Sequence, residues 1–167
     1  PGQLLAVHVE RIRLPEHGHV WVRPGLGFRT GLDQTRVRRV KVEMEAGVAV
    51  AAFGQEVRFS LRPHVGTLGV APASGSVASK WPGPHGGNMD CTEVQEGSVV
   101  WLPVFAPGAL FSAGDVHAAM GEGEVGGTGV EVEAELTVRL GLASGAGLAG
   151  PVVQSPRGFS LVADGDD

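Results

Sequence analysis

Residues Val130–Leu140 read VEVEAELTVRL. Val130, Val132, Ala134, Leu136, Val138 and Leu140 fall on one side of an extended chain, and Glu131, Glu133, Glu135 and Arg139 on the other. Side chains alternate faces along a strand, so a period of two predicts a half-buried β-strand. Working outward, Arg39–Glu45 (RVKVEME) repeats the pattern, with Val40, Val42 and Met44 opposite charge. Leu4–Leu14, Val48–Phe53 and Val57–Leu61 also read as strands. Val99–Phe105 (VVWLPVF) is a nearly continuous apolar run, the pattern of a strand buried on both faces, in which Pro103 implies an edge, bend or bulge.

Between these runs lie 27 glycines and 11 prolines, which leave room for few or no long helices. A Gly/Pro/Ser-rich loop, Ala71–Gly87, separates the two halves, and the one helical turn expected is around Val116–Met120. Short strands punctuated by glycine and proline predict a mainly β chain, a sandwich or closed β architecture. Its 167 residues suit a single domain spanning 1–167.

Composition narrows the function. The net charge is −5 with no basic stripe, which argues against nucleic acid or an anionic membrane as partner. With no tyrosine, three tryptophans and six phenylalanines, no base-stacking platform is expected. The single cysteine, Cys91, excludes an intrachain disulfide framework and a cysteine-based zinc cluster. No run of eighteen apolar residues occurs, and Pro1–Arg11 lacks the basic start of a signal peptide, so a cytoplasmic protein is expected. The chain opens without methionine directly on strand-like sequence, which suggests a piece of something longer.

Three motifs mislead. Gly121–Gly126 (GEGEVG) satisfies the dinucleotide glycine pattern, but a strand follows where a helix is needed, and two glutamates would repel phosphate. Ser76 and Ser79 precede Lys80 without the spacing of a Ser–Lys pair. Cys91 has no histidine spaced to activate it and reads as packed.

The segment Gly114–Glu124 (GDVHAAMGEGE) carries the chemistry. In extended chain, Asp115 and His117 point to the same side, and Glu122 and Glu124 repeat that spacing. Glu131 opens the next strand, and Asp90, at the end of HGGNMD, can reach the same place from elsewhere. Carboxylates with an imidazole suit a divalent cation, zinc in a mixed site or calcium where oxygen dominates. Crowded carboxylates alternatively raise one another's pKa, leaving one poised as a general acid or base.

Four stretches also carry a family likeness: Arg62–Pro72 (RPHVGTLGVAP), His85–Asp90, Leu102–Val125 (LPVFAPGALFSAGDVHAAMGEGEV) and Gly127–Glu131 (GTGVE). In this order they resemble the acetamidase/formamidase family. The resemblance implies a jelly-roll-like β core, a homo-oligomer, and metal-dependent hydrolysis of short aliphatic amides to carboxylate and ammonia. It makes Asp90, Asp115, His117 and Glu131 the candidate metal ligands and Glu122 or Glu124 the proton shuttle. Asn88 and the Gly86–Gly87 backbone would shape the pocket floor or hold the substrate amide. Family members are longer on both sides, so the chain corresponds to their central part with the flanking segments absent. The alternative expectation is therefore a truncated, non-catalytic β-domain that binds a metal or small ligand.

Overall fold

In the computed structural model, which describes residues 1–27, 31–45, 48–53, 57–144 and 147–163, the run Val130–Leu140 is shared between two sheets. The strands in chain order are β1 (Gln3–Arg13), β2 (His17–Val22), β3 (Arg36–Glu45), β4 (Val48–Phe53), β5 (Val57–Ser60), β6 (His64–Gly69) and β7 (Pro82–Gly83). Then follow β8 (Gly86–Asn88), β9 (Val99–Pro103), β10 (Ser112–His117), β11 (Glu131–Val132), β12 (Glu135–Ser144), β13 (Val152–Ser155) and β14 (Gly158–Leu161). One sheet has the order β12-β1-β9-β13-β14, the other β5-β4-β3-β2-β11-β10-β6-β8-β7.

The two sheets share a core. Leu5, Val7 and Val9 of β1, Val100 and Leu102 of β9 and Val153 of β13 pack with Val65 and Leu68 of β6 and Val116 of β10. Burying each such side chain contributes roughly 1.5–3 kcal/mol, which makes this contact the main reason the layers stay together. A second cluster, Val40, Ala51, Leu61, Ala118 and Val130, lies along the nine-stranded sheet. The fold is thus the expected β-sandwich. No helix among the described residues is long and apolar enough to cross a membrane.

The period-two run survives its division. Val132, Ala134, Leu136 and Val138 all pack on the shared core, although Val132 lies in β11 and Leu136 in β12. Leu140 and Leu142 pair with Val7 and Leu5 but are 48% and 65% exposed, on an edge strand where they line an open pocket.

Two local expectations are corrected. Val116–Met120 is not a helical turn: Val116 and His117 end β10, and Ala118 N–H donates to the Val130 carbonyl at 2.8 Å, continuing the extended pairing. The helical turn instead lies at Glu122–Glu124, where Gly123 (φ 75°) and Glu124 (φ 44°) take left-handed backbone. Pro103 makes no edge, bend or bulge, because β9 is central and Pro103 is its last residue. Pairing with β13 ends at Trp101, so the missing N–H of Pro103 breaks no ladder bond. At the end of the expected loop Ala71–Gly87, Pro82–Gly83 pairs with Gly86–Asn88, which runs one residue past it, as the short β7–β8 pair at the sheet edge.

Candidate metal centre

The site is built on the β6–β10 pair. Gly114, Val116 and His117 oppose Thr67, Val65 and His64 in one continuous register, within which Asp115 takes left-handed backbone at φ 55°. Among the described residues five non-glycines have left-handed backbone, and three of them are Asp90 (φ 45°), Asp115 and Glu124 (φ 44°). Such conformations cost about 1–3 kcal/mol each and persist where the surroundings over-determine them. Here each of the three carboxylates lies in a group with His117.

Space for two of those carboxylates comes from Gly66. A Cβ at Gly66 would meet Asp90 Oδ1 at 2.7 Å and Asp115 Oδ2 at 2.9 Å. The Gly66 carbonyl accepts the Asp90 N–H at 3.1 Å, and Asn88 Nδ2 donates to Asp90 Oδ2 at 2.7 Å. Thr67 Oγ1 donates to Asp115 Oδ2 at 3.0 Å and also lies against Asn88 Oδ1. The other oxygen of Asp90, Oδ1, is buried and has no hydrogen-bond partner. A buried polar atom left alone is rare in a folded protein and marks either strain or a missing partner.

His117 is 1% exposed. Its Nε2 lies 3.5 Å from Asp115 Oδ1 and 3.3 Å from Glu131 Oε2. Burial opposes its charge, but Asp115 and Glu131 outweigh that and push its pKa up to about 10. On the other side His117 Nδ1 is 3.2 Å from Nε2 of His64, which is also 1% exposed. Burial pushes His64 below the ordinary imidazole value, against the pull of its bond to the Arg62 carbonyl. Glu131 Oε1 accepts from Thr128 Oγ1 at 2.9 Å and from Gly129 N–H at 3.0 Å, leaving Oε2 toward His117. Gly129 lets the chain pass close to His117, since a Cβ there would lie 2.9 Å from His117 Cγ.

Two overlapping groups of ligand atoms result, each within 4.8 Å of one another: Asp90, Asp115 and His117, and His117, Glu124 and Glu131. The His117 hydrogen bond holds Asp115 below the ordinary carboxylate value despite burial. Burial raises Asp90, with Asp115 and Glu131 adding to it, and burial likewise raises Glu124, with the Asp90 charge next. One imidazole and four carboxylates in two groups that share His117, one carboxylate oxygen of which is orphaned, fit a divalent cation by their donor chemistry.

The remaining expected residues divide. Of the paired glutamates, Glu124 joins the cluster, whereas Glu122 accepts from Thr92 Oγ1 at 2.8 Å on an exposed side. Asn88 orients Asp90 and lines a surface pocket of about 420 Å³ with Thr67, Ser79, Lys80 and Asp115. Gly86 and Gly87 are buried in β8 at φ 94° and 92°. Added Cβ atoms would meet the Leu68 and Trp81 carbonyls at 2.4 Å, so these glycines let strands approach closely. The Cys91 thiol is partly buried against the core, and that burial pushes its pKa up, away from nucleophilic reactivity. An apolar cleft at Ile12, Leu14, Val42 and Met44 shares no lining residue with the cluster. Sequence reading missed His64, Gly66, Thr67 and Thr128. His64 and Thr67 stand three apart in RPHVGTLGVAP, a spacing that period two sends to opposite faces, so the run gave no sign that both serve one site.

The chain is similar to several known proteins. The model of the acetamidase/formamidase family matches residues 76–157. The solved structure of a predicted acetamidase/formamidase from Thermoanaerobacter tengcongensis is 36% identical with a TM-score of 0.86, covering 93% of this chain and 50% of its own. An acetamidase from Bacillus halodurans is 30% identical with a TM-score of 0.85, covering 92% and 51%. A formamidase of Methylophilus methylotrophus is 37% identical over 62 residues, 36% of this chain and 15% of that protein. The chain thus spans about half the length of these solved structures.

Proposed function

We propose, from the premise that the chain belongs to the acetamidase/formamidase family, that its site hydrolyses short aliphatic amides such as formamide or acetamide. Water adds to the amide carbonyl, the C–N bond breaks, and carboxylate and ammonia leave. The observation that carries the reading is Asp90 Oδ1, buried without a partner beside Asp115 and His117.

Asp90, Asp115, His117 and Glu131 would hold a divalent cation, zinc or calcium. Such an ion polarises a carbonyl and makes water easier to deprotonate near neutral pH. Glu124 takes the proton from the attacking water and returns it to the departing nitrogen. Its raised pKa, caused first by burial and then by the Asp90 charge, suits both halves of that transfer. Asn88 holds Asp90 and Thr67 holds Asp115, and Asn88, Thr67 and Asp115 line the pocket that admits the amide. The polypeptide is proposed to act as a homo-oligomer, in keeping with exposed Phe159 (73%) and Leu161 (82%) on β14.

The test measures metal content of the purified chain, then ammonia release from a formamide, acetamide and propionamide panel after zinc or calcium addition. Bound metal with turnover supports the reading. Metal without turnover favours a second one, a cation-binding β-domain of the same family, which the span of about half the relatives' length supports. No metal in wild type, with the fold intact, overturns both.

A further inference from the structure

We infer that His64 is a positioning residue: it holds the Nδ1–H of His117, so that Nε2, which faces the carboxylates, is the nitrogen that would give up its proton to a cation. The inference rests on the cation-binding reading above only for its consequence, since the hydrogen-bond logic stands on its own.

His64 and His117 are direct cross-strand neighbours in the β6–β10 register, so the sheet itself sets their separation. Their rings meet edge to face, with centroids 5.0 Å apart and planes at 77°. His64 Nδ1 lies 3.2 Å from the Arg62 carbonyl oxygen, and a carbonyl only accepts. Nδ1 must therefore carry the hydrogen. A neutral imidazole has one N–H, which leaves His64 Nε2 as a lone pair, 3.2 Å from His117 Nδ1. His117 Nδ1 must then be the donor. Of its two nitrogens, Nε2 is left as the one that can ligate, and it is the one facing Asp115 and Glu131.

The opposite arrangement fails at the Arg62 carbonyl. With the proton on His64 Nε2, His117 Nδ1 could accept it, but the bare His64 Nδ1 would then face the Arg62 carbonyl oxygen, lone pair against lone pair. Both rings are 1% exposed, so water cannot repair the mismatch. The Arg62 carbonyl, His64 and His117 thus form a one-way series of donors and acceptors ending at the site. Partners of this kind orient ligand histidines and typically change metal affinity by about 10–100-fold when removed.

The experiment records imidazole ¹⁵N NMR spectra of the full chain, without metal and with zinc, for wild type, His64→Gln and His64→Leu, together with a zinc titration of each. Expected for wild type is His64 protonated on Nδ1 and bare on Nε2 with or without zinc. Zinc perturbs His117 Nε2 and leaves its Nδ1–H in place. His64→Leu weakens zinc by about 10–100-fold, and His64→Gln, whose amide oxygen accepts from Nδ1–H, regains most of that loss. A proton on His64 Nε2 overturns the inference, as does His64→Leu binding zinc like wild type. Should His64→Leu not fold, the wild-type spectrum and the His64→Gln titration still decide. If wild type binds no zinc while His64 has the expected tautomer, the cation-binding reading fails and the positioning geometry stands.

Discussion

Gly66 and Asp115 are fitted to each other: a Cβ on Gly66 would lie 2.9 Å from both the carbonyl oxygen and Oδ2 of Asp115. The carbonyl is backbone and cannot swing away, so this position excludes even the smallest side chain. Gly66→Ala is expected to destabilise the chain by about 1–3 kcal/mol, the usual cost of overpacking. It should also weaken zinc roughly tenfold or more, because Asp90 and Asp115 are displaced together. Thermal unfolding and a zinc titration check this; a variant that melts and binds as wild type does shows the contact to be soft.

Asp90 should trade stability for function. Burial raises its pKa, the neighbouring Asp115 and Glu131 charges add to that, and Oδ1 has no partner. Asp90→Asn removes the buried charge while its amide oxygen can still accept from Asn88. The metal-free variant is expected to melt at the wild-type temperature or above, with zinc affinity reduced about tenfold or more. Binding residues often carry such a cost. A lower melting temperature in the metal-free variant counts against the carboxylate being a stored liability.

Much of this was legible in the sequence where one residue type served one purpose. The alternation in Val130–Leu140 revealed a buried face, because period two reports burial whichever sheet the strand enters. The same fact hid the crossing from β11 to β12: hydrophobicity does not encode which neighbour supplies the hydrogen bonds. The i, i+2 spacing of Asp115 and His117 brought them to one side, as found, although the left-handed backbone at Asp115 is set by tertiary contacts. Glu122 and Glu124 were indistinguishable by spacing, since only the turn at Gly123 sends one to the cluster and the other to Thr92. His64 escaped because its role depends on cross-strand register, which one sequence does not display.

The metal-free chain should lose stability on the alkaline side. His117 is raised from 6.5 to about 10 in the folded state, with burial opposing and Asp115 and Glu131 prevailing. The folded state therefore binds the proton more tightly than the unfolded one. That contribution is fully present below the unfolded value of 6.5 and is lost as pH rises through about 10. One group contributes a slope of at most about 1.4 kcal/mol per pH unit. Denaturation of wild type and His117→Gln in chelator from pH 6 to 10 should converge as pH rises. Parallel curves would mean that folding leaves the His117 pKa unshifted.

The two glutamates of the 3₁₀ turn offer the sharpest test of mechanism. Glu124 lies with His117 and Glu131, and its pKa is raised by burial and then by Asp90, whereas Glu122 is tied to exposed Thr92. A proton carrier is expected to matter to turnover more than to ion binding. Glu124→Gln should therefore lower ammonia release from formamide by roughly 10²–10⁴-fold, with zinc affinity changed by no more than a few-fold. Glu122→Gln should keep both close to wild type, because losing an exposed hydrogen bond alters only the surface of the turn. If Glu124→Gln loses zinc in parallel with activity, Glu124 is a ligand and the proton must travel by another group. If Glu122→Gln alone is inactive, the assignment within the pair is reversed, and the turn must rearrange when substrate binds.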